Sequence, residues 1–296
     1  MIKKILVTVL VVLFSFTLFG IDENDAQAGA FLRIPVGARP AGLGDTFVAV
    51  SDDANAVYWN PGGLYQVQAK TFGGMYNLLS MDRHHYEGSF IYPNNSSTFA
   101  FMFNSFGVSD IDGRDENGNP TGKFDDTETS ITIGYCYKLP SAIGLGANLK
   151  YLIHSLDENK ATGIGFDFGV HKKILKLRLG ASVSNIAAKL NWDTDSSLEE
   201  EIPTTIRAGG AYEMSLGMLP MLASVEISKT AGEKVSIHLG TEISIFNSLM
   251  IRGGYYESNI NFGVSIKVAK IRVDYAMVQD FLDEGATNKI GIQIEF

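Results

Sequence analysis

The chain has 296 residues, 45% of them hydrophobic, a formal net charge of −9 and one cysteine. The negative balance argues against a nucleic-acid partner, because phosphates need basic surfaces, and a lone cysteine excludes an intramolecular disulfide. Beyond the N-terminus no apolar run reaches the roughly 20 residues of a spanning helix, so a membrane role requires a closed barrel.

The chain opens with Met1-Ile2-Lys3-Lys4, an uncharged apolar run from Ile5 to Phe19 and then Ala26-Gln27-Ala28. A basic start, a short apolar stretch and a small-residue cleavage site predict a secretory signal peptide over residues 1–28, with the mature chain beginning near Gly29.

Residues 29–70 lack strand periodicity. Within them Gly37-Ala38-Arg39-Pro40-Ala41-Gly42-Leu43-Gly44-Asp45 is followed by a stretch from Ser51 to Leu64. Asp52 or Asp53 is placed to N-cap a short helix from Ala54 to Trp59. Asn60 before Pro61 ends that helix, and Gly62 is expected to supply a positive φ for a turn. Phe47, Tyr58 and Trp59 favour burial, so the segment is expected to lie inside something.

From Thr71 onward, apolar and polar residues alternate in fourteen segments: about 71–79, 86–93, 97–106, 128–138, 142–153, 161–172, 174–184, 203–214, 219–229, 234–244, 248–256, 259–267, 269–278 and 288–296. Most have the length that a tilted strand needs to cross a bilayer. Ile164, Phe166, Phe168 and Val170 alternate with Gly165, Asp167, Gly169 and His171, and Ile271, Val273, Tyr275 and Met277 with Arg272, Asp274 and Ala276. One parity is apolar throughout, as a wall in lipid requires. The last strand ends on an aromatic residue, Phe296, which resembles the C-terminal signal of outer-membrane barrels. The long connections, 107–127, 154–160, 185–202 and 279–287, all follow odd-numbered strands and together carry a charge of −12. With both chain ends periplasmic, that pattern places them outside. There they either bind divalent cations beside lipopolysaccharide or are simply solvated. The expected fold is all-β: a transmembrane antiparallel β-barrel of about fourteen strands over residues 71–296, with residues 29–70 as an N-terminal lumenal hatch or plug.

The inward parity carries Glu87, Asp167, Glu213, Glu226, Glu242, Asp274 and Glu295 against Lys138, Lys150, Lys176, Arg178, Arg207, Arg252, Lys267 and Arg272. Near balance suggests a web of ion pairs, since unpaired buried charge is costly; an ion-selective pore would show a one-sided ring. Arg39, Asp45, Asp52 and Asp53 are the hatch residues expected to join that web. Catalytic signals are weak: His84-His85 lacks metal-ligand spacing to another His or Cys, and no nucleophile elbow is present. Gly144-Leu145-Gly146 and Gly163-Ile164-Gly165 lie inside strands, where they more plausibly relieve crowding than hold a nucleotide. The reading is a non-enzyme without cofactor or metal.

The stretch Arg39 to Leu64, with Gly42-Leu43-Gly44, Asp53-Ala54-Asn55-Ala56 and Asn60-Pro61-Gly62-Gly63-Leu64, resembles the N-terminal signature of the PorV/PorQ family within the FadL-type outer-membrane barrel superfamily. The resemblance implies a lumenal hatch with Arg39, Gly42, Gly44, Asp45, Asp52, Asp53, Trp59, Asn60, Pro61 and Gly62 as plug and gate residues. It implies either FadL-like passage of a small hydrophobic ligand across the outer membrane or PorV-like docking to secretion-system proteins of the type IX kind. A plain structural surface barrel is the third expectation. Outer-membrane lipid and lipopolysaccharide would surround all three.

Overall fold

A computed structural model describes residues 28–194, 198–246, 248–256, 259–279 and 286–296. The expected leader, save Ala28, and the centre of the 279–287 connection lie outside these residues. Among them the strands are β1 (Thr71–Leu78), β2 (Arg83–Asn94), β3 (Ser97–Arg114), β4 (Pro120–Leu139), β5 (Ile143–Leu156), β6 (Asn159–Ile174), β7 (Leu177–Trp192), β8 (Glu199–Glu201), β9 (Thr205–Leu216), β10 (Leu219–Thr230), β11 (Val235–Phe246), β12 (Leu249–Tyr256), β13 (Asn259–Val268), β14 (Ile271–Gln279) and β15 (Ala286–Glu295). Each of the fourteen expected strands is present. The three-residue β8 is an addition that pairs with the end of β7.

Every neighbouring pair is antiparallel, and pairing of β1 with both β2 and β15 closes the ring, Thr71 facing Ile91 on one side and Glu295 on the other. Closure leaves no unpaired edge in the barrel wall. The alternation has a direct structural meaning: on β14, Ile271, Val273, Tyr275 and Met277 are exposed while Asp274 and Ala276 are buried. Tyr86, Phe90, Phe101, Phe166, Phe168, Ile260 and Phe262 extend the exposed apolar belt around the wall. An apolar surface of that extent is untenable in water and natural in lipid. No helix among the described residues is long and apolar enough to cross a membrane.

The two ends of the barrel differ. At one end, which also carries the starts of β1 and the end of β15, the turns are short: 95–96, 140–142, 175–176, 217–218 and 269–270. Such hairpins need left-handed backbone, and Asn95, Leu175, Gly217 and Ala269 supply it with φ of 53°, 55°, 63° and 52°. At the other end the expected connections 107–127, 154–160 and 185–202 are largely strand among the described residues. β3 and β4 run on past the apolar belt to a tip at 115–119, where Asp115 Oδ1 accepts the N–H groups of Asn117 and Asn119. β5 and β6 meet in a two-residue turn, and β7 continues to Trp192 to hold β8. The reason is that antiparallel pairing satisfies the backbone whether or not the side chains alternate. If the short-turn end is periplasmic, a cysteine at Asp115 in a Cys136→Ser background reacts with an impermeant thiol reagent on intact cells and one at Asn95 does not. Labelling at Asn95 alone would invert the assignment.

Candidate functional site

The segment before β1 packs against inward-facing residues of strands on opposite sides of the barrel, so it lies within the ring. It consists of short helical pieces, Ala30–Arg33, Ala38–Gly42, Ala56–Trp59 and Pro61–Gln66, joined by turns. Its own core is dry: Val36, Leu43, Phe47, Trp59 and Leu64 are at most 1% exposed. Trp59 Nε1 donates to Val36 O at 2.9 Å, and Tyr58 stacks edge-on to Trp59 at 5.2 Å between centroids. Phe31 and Leu32 cluster with Leu152, Ala161, Ala188, Leu190 and Ile202 near the long-strand end.

Small wall residues let the segment's backbone reach the sheet. A Cβ on Gly144 or Gly146 would lie 2.0 Å from Gly62 O or 2.2 Å from the carbonyl carbon of Pro61, so this pair relieves crowding as expected. Gly163 serves another need, since its Cβ would lie 1.8 Å from Lys189 O across irregular pairing with β7. Gly44 has φ of 64° and approaches Tyr255 N, where a Cβ would sit at 2.6 Å. Gly42 abuts Gly263 on β13. Gly62 does not take the positive φ expected of it. It sits in a 3-10 turn, and what it lacks is room, because a Cβ would lie 2.7 Å from the Gly169 backbone. Asn60 fixes this turn by accepting from Gly62 N at 2.9 Å while donating to Val48 O at 2.7 Å and Val170 O at 3.1 Å.

The charged residues form one network at the segment's contact with β6, β7, β9, β11, β12 and β14, buried around Arg39 and half-exposed at Lys173 and Glu213. Arg39 forks onto Glu242, Nε to Oε2 at 2.9 Å and Nη2 to Oε1 at 3.1 Å, and its Nη1 meets Asp52 at 2.5 Å and Asp53 at 2.9 Å. Arg178 holds the other oxygen of Asp52 at 2.6 Å and Glu213 at 2.6 Å, with Lys173 on the same Glu213 oxygen at 2.7 Å. Arg272 bridges Asp53 at 2.6 Å and Asp274 at 2.9 Å, and Arg252 binds Glu242 at 2.6 Å. Five cations thus face five carboxylates, which is the condition for burying charge at tolerable cost.

Two smaller contacts add to it. Glu226 accepts from Phe47 N and Val48 N, each at 2.8 Å, and lies 3.5 Å from Arg207, whose guanidinium covers the Trp59 ring at 5.2 Å. Lys150 pairs with Asp167 at 2.8 Å, beside Asn148, which donates to Val57 O.

Asp52 does not cap the following helix, both its oxygens being taken by arginines, whereas Asp53 divides: Oδ2 meets Arg39 and Arg272 while Oδ1 accepts the Asn55 N–H at 3.0 Å, as a cap of the turn that opens at Ala54 would. The regular helix itself is Ala56–Trp59, with Asn55 at its N-cap position and no bond from the Asn55 side chain to the helix. Lys138 and Lys176 are exposed at the short-turn end rather than within the web, Lys138 with its ammonium 5.7 Å from the Tyr65 ring centroid. Asp45 is buried and lines a cavity with Lys289. Lys289, His85 and His171 are buried inward residues that the charge inventory passed over; strand parity alone would have located all three.

That cavity, about 300 Å³, opens at the long-strand end above the segment, with Ile34, Pro35, Leu79, Phe106, Val278 and Tyr256 as its apolar lining. A smaller one beside it shares Arg33, Pro35, Asp45 and Tyr256. Among the described residues no cluster of His, Cys, Asp or Glu is arranged to hold a metal.

Fold and interior define a class: an outer-membrane β-barrel of the FadL-like architecture. Its solved neighbours include the toluene transporter TbuX of Ralstonia pickettii (13% identity, TM-score 0.61, 88% of this chain and 98% of that one). They also include the toluene transporter TodX of Pseudomonas putida (13%, 0.60, 92% and 98%) and a FadL homologue of Pseudomonas aeruginosa (9%, 0.59, 89% and 99%). The particular family follows from sequence: residues 22–231 match the type IX secretion system protein PorV, and the chain belongs to that family. No curated protein matches the sequence.

Proposed function

We propose that residues 29–70 close the barrel as a hatch and that the protein admits small, poorly water-soluble molecules through the outer membrane. The observation that supports this is the cavity at the long-strand end, of a size that suits a small ligand, where apolar Ile34, Pro35, Leu79, Phe106 and Val278 stand beside charged Asp45 and Lys289, next to a segment held to the wall by ion pairs rather than by covalent bonds. Movement of the plug would open a path below the cavity without breaking the wall. The hydrocarbon transporters among the structural neighbours support the same reading. No residue is assigned a catalytic role, and the surroundings are phospholipid and lipopolysaccharide.

A second reading, docking of secretion-system proteins, is favoured by the PorV family match. The two readings separate on purification from the native membrane. Transport predicts a small hydrophobic molecule extractable from the folded protein and lost when Phe106→Arg fills the cavity. Recovery of stoichiometric secretion proteins with an empty cavity would favour docking.

A further inference from the structure

The interior occupies one face of the wall; the lipid-facing side carries a site of its own. On β6, β7, β9 and β10 the outward row Val170–Ala181–Ala208–Ile227 lies beside the row Lys172–Leu179–Gly210–Val225. Ala181, Ala208 and Gly210 leave the wall without bulk there, and the result is a groove of about 380 Å³ open to the membrane. Large side chains border it: Tyr212 toward the short turns, Phe168 toward the long strands, Val170 and Val225 at the sides. Every lining group is apolar except Lys172 and the inward Glu226.

Lys172 lies three positions from the short turn at 175–176, and a lysine stem is long enough to carry its ammonium to the head-group layer. Lys176 is exposed in that turn. Neither lysine has an anionic partner among the described residues, whereas neighbouring Lys173 is held by Glu213 at 2.7 Å. An apolar slot ending at unneutralised cations matches an amphiphile with an apolar chain and an anionic head.

We infer that this groove binds a net-anionic phospholipid of the leaflet at the short-turn end, one acyl chain lying over Ala181, Ala208 and Gly210 and the phosphate meeting Lys172 and Lys176. The bound chain braces a thin part of the wall. Directly behind it Gly180 and Gly209 press on Val48, to the point that a Cβ on Gly180 would lie 2.1 Å from Val48 O. The site does not depend on what passes through the barrel.

Native mass spectrometry of the folded protein, titrated in neutral detergent with phosphatidylglycerol or phosphatidylcholine, tests it. Wild type should retain phosphatidylglycerol in preference to phosphatidylcholine. Lys172→Gln should weaken retention about fivefold, the effect of one lysine charge at an anionic surface. Gly210→Leu should abolish it by filling the slot; the added Cβ has room, its nearest neighbour being Leu179 Cδ2 at 3.6 Å. Lys270→Gln, an exposed lysine at the same end but off the groove, should change nothing. Lys172→Gln sits on the exposed face and leaves folding untouched, so it reads the site even if Gly210→Leu fails to assemble. Equal retention of the two lipids, wild-type retention in Lys172→Gln, or an equal loss in Lys270→Gln would overturn the proposal.

Discussion

Replacing Arg39 by methionine should lower the unfolding free energy of the barrel by about 3–5 kcal/mol, the cost of removing one partner from a buried ion-pair network. Three carboxylates lose one of two cations at once, Asp52, Asp53 and Glu242, which keep only the strand arginines Arg178, Arg272 and Arg252 respectively. Arg39→Lys should cost less but not nothing, because an ammonium cannot fork onto Glu242 while reaching the two aspartates. Denaturant titration in detergent, followed by tryptophan fluorescence, measures both; a loss below about 1 kcal/mol in Arg39→Met would mean that the network is not what holds the segment.

The same network sets a pH dependence. Burial alone would raise the aspartate pKa values, but Arg39 and Arg178 beside Asp52, and Arg272 and Arg39 beside Asp53, hold both below the usual carboxylate range. A depressed folded pKa gives stability that is complete above the unfolded value of 3.8 and is lost as pH falls below it toward the folded one. The segment should therefore stay in place at neutral and mildly acidic pH and loosen only in strong acid.

Deleting 37–64 should leave an assembled barrel that conducts steadily in planar bilayers, where the full-length protein is nearly closed. A fourteen-stranded ring is wider than its own side chains fill, since about eight strands give an interior just filled. What fills it here is the buried core of Val36, Leu43, Phe47, Trp59 and Leu64, of which the deletion removes all but Val36. The wall strands pair with one another and not with the segment, so closure survives. Arg178, Glu242, Arg252 and Arg272 would then face water, where their charges are solvated rather than stranded. Trp59→Ala should raise conductance less, by loosening the packing. An assembled deletion that conducts no more than wild type would show that the segment does not close the barrel.

The strands were legible because a wall with lipid outside and polar contacts inside imposes a period of two on every crossing residue. Beyond the apolar belt that constraint lapses. The outer part of β4, from Pro120 to Thr127, is mostly exposed or half-exposed and carries no clear alternation, so it reads as loop although it pairs with β3 and β5. Parity also told which charges point inward, but not which meet. Arg39 finds Glu242, 203 residues away, through the closure of the ring. Parity misled only near strand ends, where Lys138 and Lys176 reach solvent. Local signals within the segment were weaker still. Asp52 is given over to ion pairing and Asp53 divides between ion pairs and the turn at Asn55, and the glycine at 62 answers to the nearby Gly169 backbone rather than to its own φ.

If the segment must move for a small hydrophobic molecule to pass, a reversible lock on it should stop passage. The Cβ of Ala38 lies 3.4 Å from the position a Cβ would take at Gly291 on β15, close to the roughly 3.5–4.5 Å of disulfide-linked cysteines. In a Cys136→Ser background, Ala38→Cys with Gly291→Cys should bridge the segment to the wall. Uptake of a small apolar fluorescent dye by intact cells carrying the double variant should be blocked when the bridge is oxidised and restored on reduction, with the single variants indifferent to reductant. Equal uptake in the oxidised and reduced states, with the bridge shown to have formed, would contradict the account.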